Sequence, residues 1–276
     1  MRLVFVHGIN QQTKSEDVIR REWIGALEAG LGQAGRFDKV EVVTPFYGDA
    51  LAALTDPTAH EDAIAQGIGE EDEDEREFVV SSLQQIALDA GLTDAQINKE
   101  QAVAQGLPHD RRFIAIIRLL ESLSPFQGRI ALRILKQAYA YLKRKHVSDV
   151  LDAIVEPVLA DGACVVVAHS LGTVISFKLL RKTAQTVPLF VTLGSPLAVL
   201  SVQAALRKPR RVPLGVKHWF NALDVDDFIT LGRGLTAETF AGGIENRTEV
   251  DNGDDAHSIT AYLRDPVVRQ MISTAV

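Results

Sequence analysis

Cysteine is nearly absent from this sequence, and long apolar runs are absent altogether. The single cysteine among 276 residues, Cys164, excludes a disulfide within the chain, and we expect it to pack as a small apolar side chain. No segment approaches the roughly 18 consecutive apolar residues of a membrane-spanning helix. The apolar run near the start, LVFV, is too short for a signal peptide. We therefore expect a cytoplasmic protein.

An excess of positive charge is also absent. The chain has 29 Lys and Arg against 36 Asp and Glu, a net charge of -7. A general nucleic-acid binder needs clustered cations that dominate its field, so nucleic acid is not expected as a partner. Motifs such as H-E-x-x-H and a P-loop lysine are missing, so we expect no metal and no cofactor.

Strand-like and helix-like segments alternate in both the first and the last parts of the chain. This order predicts an α/β fold with a mostly parallel central sheet flanked by helices. The length suits a single domain, residues 1–276, with one insertion. The predicted strands are 3–6, 40–46, 163–168, 189–193 and 216–222, and the predicted helices around them are 15–31, 150–158, 171–184 and 258–273.

Residues from about 50 to 145 interrupt the alternation. Helical spacing predicts helices over 78–90, 111–123 and 128–146. The acidic run EEDEDERE at 70–77 is expected to be a solvated or mobile loop, because its charges repel one another. The helices are interpreted either as an insertion packed on the sheet or as a cap or lid over an active site. The basic residues of 128–146 add the hypothesis of peripheral membrane contact, unless they pair with the acidic run.

The segment VVVAHSLGTVIS, residues 165–176, runs from a buried strand straight into a helix. Such a turn strains the residue at its apex, Ser170, and needs small residues two positions before and after it, here Ala168 and Gly172. Ser170 is then either a buried turn residue or a nucleophile above the carboxyl end of the sheet. In the second case the first N–H groups of the helix, beginning with Leu171, face a developing oxyanion.

This turn resembles the nucleophile elbow of the α/β-hydrolase superfamily, specifically of lipase-like and esterase-like serine hydrolases. The usual pattern is G-x-S-x-G, and Ala168 stands here in place of the first glycine. The strand ending in His7-Gly8-Ile9 is similar to the family's other oxyanion loop, which implies the backbone N–H of Ile9 as the second donor. TLGSPL at 192–197 also resembles the strand end that follows the nucleophile helix.

The resemblance implies a Ser-His-Asp triad. WFNALDVDDFIT at 219–230 resembles the segment that presents the acid, and DDAHSITAYL at 254–263 the one that carries the histidine. The family order is serine, acid, histidine, so an acid in the cluster near 224–227 leaves only His257. Asp227 fits the pattern best, Asp224 is the alternative, and Asp226 comes third. His7 and His169 are expected to be structural.

These residues imply a serine hydrolase that cleaves a carboxylic ester, with a lipid-like or other acyl substrate, through an acyl-enzyme. Thioesterase, amidase and acyltransferase reactions use the same groups and stay open. A different alternative is a non-catalytic binding module of the same fold, with the insertion as its partner surface. The sequence does not give the oligomeric state.

Overall fold

The computed structural model describes residues 1–32, 34–55, 73–104 and 111–276, and in these residues six parallel strands form one sheet. The strand order is β2-β1-β3-β4-β5-β6. This confirms the predicted α/β class with a parallel sheet. The strands are β1 (Arg2–Val6), β2 (Glu41–Val43), β3 (Cys164–His169), β4 (Phe190–Leu193), β5 (Trp219–Asp224) and β6 (Glu245–Val250).

Helices cover both faces of the sheet. Val4 and Val166 face one apolar core, whereas Leu3 and Val165 face the other, as the two-residue period of a strand requires. A strand buried on both faces has no polar side to display, which is why β1 and β3 are almost entirely apolar in sequence. Cys164 is buried in the first of these cores, as predicted.

The helices divide between the two faces. Helices α1 (Glu16–Leu31), α10 (Ile259–Arg264) and α11 (Pro266–Ala275) bury their apolar sides in the core that contains Leu3. The others pack mainly in the core that contains Val4. They are α2 (Gly48–Thr55), α3 (Glu73–Asp89), α4 (Asp94–Val103), α5 (Arg111–Leu123), α6 (Gln127–Lys143), α7 (Lys145–Ala160), α8 (Leu171–Leu180) and α9 (Leu200–Ala205).

Some element boundaries differ from the predicted ones. The helix predicted over 258–273 is two helices, because Pro266 has no N–H to donate and restricts Asp265 before it. The predicted helix 128–146 ends at Lys143, and the predicted strand 40–46 is shortened to β2. Strand β6 was not predicted, because an edge strand of sequence ENRTEV has no apolar pattern.

The acidic run is not a loop in its described part. Residues 73–77 begin α3, and Glu70, Glu71 and Asp72 lie outside the described residues. Glu75 is buried and pairs with Arg144 at 2.5 Å. The loop prediction was therefore wrong for residues 73–77, because the ion pair offsets part of the repulsion among the acidic residues. The pair also favours the alternative hypothesis, in which the acidic run pairs with the basic residues of 128–146.

Helix α6 lies inside the helical layer. Its apolar residues pack in the core, and Lys136, one of the basic residues of 128–146, is 3% exposed. Within the described ranges, no helix combines the length and the apolar character needed to cross a bilayer. Peripheral membrane contact through 128–146 stays a prediction.

Candidate active site

Ser170 occupies the sharp turn between β3 and α8. Its backbone has φ 54° and ψ -127°, a region that a residue with a Cβ enters only at a cost of about 1–3 kcal/mol. The turn is held on both sides of the strained residue. The Ser170 N–H donates to Leu193 O at 3.0 Å, and its carbonyl oxygen accepts from the Thr173 N–H at 2.9 Å and hydroxyl at 2.7 Å.

Two glycines allow the backbone to close around this serine. A Cβ on Gly172 would overlap the carbonyl oxygen of Val6 and lie 2.5 Å from that of His7. A Cβ on Gly8 would lie 2.7 Å from the Ser170 Cβ. The end of β1 and the start of α8 therefore approach each other at a distance that only glycine permits.

The loop after β5, here called the acid loop, carries Asp227, and the loop after β6, the histidine loop, carries His257. The two loops bring these side chains together. His257 Nδ1 lies 2.8 Å from Asp227 Oδ2, and both side chains are buried. A carboxylate only accepts hydrogen bonds, so the proton is on Nδ1. The same oxygen accepts a second bond from the Tyr262 hydroxyl at 2.9 Å. Neutral His257 then has its lone pair on Nε2, the arrangement of a general base.

Two polar atoms of this site are buried and unpaired. Neither Ser170 Oγ nor His257 Nε2 has a hydrogen-bond partner among the described residues, so the structure holds no bond between them. A buried group left without a partner costs about 1–3 kcal/mol. Such groups call for a specific explanation, of which catalysis is one.

Gly194 connects the serine to the acid and the histidine. It follows Leu193, which accepts the Ser170 N–H, and it has φ 54°. A Cβ on Gly194 would lie 2.9 Å from Asp227 Oδ2 and 3.1 Å from His257 Cε1. The structure thus brings Ser170, Asp227 and His257 to one edge of the sheet, where β3, β4 and β5 end.

The other two aspartates near 224–227 form no hydrogen bond with the His257 ring, whose partner among the described residues is Asp227. Asp224 accepts the backbone N–H groups of Asp226 at 2.9 Å and Asn252 at 2.7 Å. Burial raises the pKa of Asp224, and these two bonds oppose the shift. The Asp226 side chain is exposed. Asp224 therefore ties the acid loop to the histidine loop.

His7 and His169 have structural contacts. The Tyr47 N–H donates to His7 Nε2 at 3.1 Å, so the His7 proton lies on Nδ1 and is donated to Gly8 O at 2.8 Å. Burial lowers the pKa of His7 to about 4 and that of His169 well below 6.5. His169 Nε2 donates to the carbonyl oxygen of His257 at 3.1 Å. Both rings are neutral and fix the backbone beside the serine.

The two predicted oxyanion donors, Ile9 and Leu171, lie in the part of the site formed by the end of β1 and the turn at Ser170. This part is called the serine side below. Leu171 is the first residue of α8, and the helix itself offers no acceptor to the N–H groups of its first turn. Ile9 is buried and follows Gly8, where an added Cβ would lie against the Ser170 Cβ. Their placement is compatible with the predicted role.

A cleft of about 860 Å³ lies beside the acid and histidine loops. Its walls are Val225 and Phe228 from the first loop, Ala256 from the second, and Leu123 and Phe126 from the insertion. Phe126 is 66% exposed and has φ 68°, a backbone conformation that is rare for a bulky residue. The cleft therefore displays apolar side chains to solvent. Ser170 and His257 do not line it.

The sequence did not predict Tyr262 or Gly194 as parts of the site. In sequence, Tyr262 belongs to the apolar stripe of the predicted last helix. Its hydroxyl was the one feature that indicated a polar partner. Among the described residues, no three His, Cys, Asp or Glu side chains converge in a metal-binding arrangement.

Comparisons of the chain with protein-family models, with curated proteins and with solved structures found no match.

Proposed function

We propose that this protein is a serine hydrolase of the α/β-hydrolase fold, in which Ser170, His257 and Asp227 form the catalytic triad. The observation that carries the proposal is the buried Asp227–His257 hydrogen bond at 2.8 Å, which leaves an unpaired Nε2 at the edge of the sheet where a strained serine also stands. Structural serines seldom need such a backbone. A nucleophile does, because the turn holds its hydroxyl clear of the sheet.

The mechanism follows from the proton positions. His257 Nε2 takes the proton of Ser170 as its oxygen attacks the ester carbonyl, and it later gives that proton to the leaving alcohol. Asp227 keeps the imidazole in the required tautomer and stabilises its cation, and Tyr262 fixes the carboxylate. The N–H groups of Leu171 and Ile9 stabilise the oxyanion. Water then hydrolyses the acyl-enzyme.

The proposed substrate is an ester with an apolar portion. The cleft beside the acid and histidine loops supports this, because Phe126 and Val225 are 66% and 56% exposed there. Ser170 is fully buried, so the segments above it must move before a substrate reaches its hydroxyl. The helices of the insertion are proposed to act as the lid.

The buried serine also favours a second candidate, a non-catalytic binding module. In that case the unpaired Ser170 Oγ and His257 Nε2 have no reaction to perform. Thioester, amide and acyl-transfer substrates remain alternatives within the catalytic proposal.

Labelling with a fluorophosphonate probe, followed by peptide mapping, tests the proposal. We expect the wild type to be labelled on Ser170, and Ser170→Ala and His257→Ala to lose labelling while remaining folded. Ser176→Ala is the matched control, because Ser176 Oγ is also buried with no partner in the described part of the chain but lies within regular helix α8. A folded wild type that is not labelled, or a label on another residue, contradicts the catalytic proposal. If Ser170 is labelled, a panel of esters, thioesters and amides identifies the bond.

A further inference from the structure

A second cleft, of about 610 Å³, lies between α6, α7, α8 and the segment after α9. None of the triad residues Ser170, Asp227 and His257 lines this cleft. Its walls are strongly basic, with six cationic side chains against the carboxylates of Asp149 and Asp152. The cations are Lys143, Lys145, Lys178, Arg181, Lys182 and Arg207.

Internal ion pairs account for only part of this charge. Asp152 pairs with Lys178 at 3.1 Å and with Lys182 at 3.4 Å, so two cations share one carboxylate. Asp149 pairs with Lys145 at 2.5 Å. In the described ranges, the Lys143 and Arg207 side chains have no acidic partner.

Two of these cations, Lys178 and Arg181, are held in place by contacts of the fold. Lys178 is partly buried and stacks over the Tyr141 ring at 4.3 Å, and Tyr141 donates to Asp152 at 2.6 Å. Arg181 donates to the backbone oxygen of Arg207 at 2.5 Å, which connects α8 to the segment after α9. Burial lowers the pKa of Lys178, an effect that Asp152 opposes.

A concentration of like charge in a concave surface costs free energy unless an anion binds there. The chain as a whole carries a net charge of -7, so its total charge does not explain the basic cleft. Concave walls focus the field and attract a ligand of opposite charge. Arginine and lysine side chains are the groups that proteins use for phosphate.

We propose that this cleft is a binding site for a ligand that carries phosphate groups. A soluble phosphorylated small molecule and a phospholipid headgroup share this chemistry. The proposal is independent of the proposed hydrolase function, since none of the cleft residues belongs to the triad.

The test pairs Lys143→Gln/Arg207→Gln with a control of equal charge change, Lys39→Gln/Lys217→Gln. The control removes two exposed cations that do not line the cleft. Calorimetric titration with inorganic pyrophosphate and with inositol hexakisphosphate measures soluble ligands. Co-sedimentation with phosphatidylcholine vesicles, with and without one-fifth phosphatidylinositol bisphosphate, measures the headgroup.

We expect saturable binding in at least one of these assays, weakened about tenfold or more in the cleft variant, because a hydrogen bond to a charged group contributes about 1.5–3 kcal/mol. The control should lose less than about twofold in affinity, since salt screens exposed charges that lie outside the cleft. Binding in the titrations alone identifies a soluble ligand, and binding to vesicles alone identifies a headgroup. No saturable binding to any probe, or equal losses in the two variants, overturns the proposal. Circular dichroism melting establishes that each variant is folded.

Discussion

The two sides of the candidate site are built differently. On the serine side, the backbone of Ser170 is strained, its hydroxyl is unpaired, and Gly172 and Gly8 allow close backbone contact. On the acid and histidine side, Asp227 accepts two hydrogen bonds and Asp224 accepts two more. The serine side has a strained backbone, whereas the acid and histidine side is extensively hydrogen-bonded, and of its hydrogen-bonding atoms described above only His257 Nε2 has no partner among the described residues.

This difference suits two different roles, that of the proposed nucleophile and that of the groups that orient the proposed base. A reacting group gains from being unpaired, because no existing bond has to break before reaction. The groups that orient it gain from being fixed, because a misplaced base loses its effect. Substitution of Asp227 should therefore mainly lower activity, whereas substitutions on the serine side should also change stability.

The largest expected effect separates Asp227 from Asp224. Asp227→Asn should lower kcat by about 10⁴-fold, because an amide no longer holds His257 in the right tautomer. Asp224→Asn should lower kcat by about tenfold or less and destabilise the fold by about 1–3 kcal/mol, because a backbone N–H loses its charged acceptor. Steady-state kinetics on an ester found by the substrate panel, together with urea unfolding, measures both. The reverse ranking in folded variants would make Asp224 the acid.

Gly172→Ala tests the close contact on the serine side. The added Cβ meets the backbone oxygens of Val6 and His7, which cannot move without distorting β1. We expect a loss of about 3 kcal/mol or more in the free energy of unfolding. Gly25→Ala is the matched helical control, since a Cβ there has nothing within 4 Å, and it should gain about 0.5–1 kcal/mol. Equal changes in urea denaturation would show that the contact is not tight.

The sequence was most informative where local geometry restricts residue choice. The turn at Ser170 needs small neighbours, so Ala168 and Gly172 could be identified from spacing, and the structure shows the backbone contact that Gly172 permits. Apolar runs predicted β1, β3 and β4 to within two residues at each end. These features depend on residues near one another in the chain.

Contacts between distant segments were less predictable. Three aspartates within 224–227 look alike in sequence, and only the folded loops show that Asp227 reaches His257 while Asp224 holds Asn252. Tyr262 binds Asp227 from a helix that looked purely apolar. The burial of Glu75 depends on Arg144, 69 positions away, so a charge run alone indicated a loop.

The burial of His7 predicts that the stability of the fold depends on pH. The pKa of His7 is about 4 in the folded protein against 6.5 for the free side chain. Between these values only the unfolded state binds the proton, so the free energy of unfolding falls as the pH falls from 6.5 to 4, by about 3 kcal/mol in total. Urea unfolding at pH 7 and pH 4.5 measures this change.

His169 contributes a pH effect of the same sign, because burial lowers its pKa as well. His7→Asn isolates the contribution of His7, since asparagine keeps a donor for Gly8 O but does not titrate. The variant should show a smaller fall in stability between pH 7 and pH 4.5. An NMR titration of the wild type offers a direct reading, and a His7 pKa near 6.5 would contradict the burial argument.

The smallest expected effect comes from the strain itself. Ser170→Gly removes both the Cβ that makes φ 54° unfavourable and the unpaired buried hydroxyl, so it should stabilise the fold by about 1 kcal/mol despite the chain entropy of glycine. Ser170→Ala keeps the Cβ and removes only the hydroxyl, so its gain should be smaller. Thermal and urea unfolding should therefore rank glycine above alanine and alanine above serine. If serine is the most stable of the three, the turn is built around its hydroxyl and the site stores no strain. If the expected order holds and both variants lose labelling, Ser170 lowers the stability of the fold and is at the same time needed as the nucleophile.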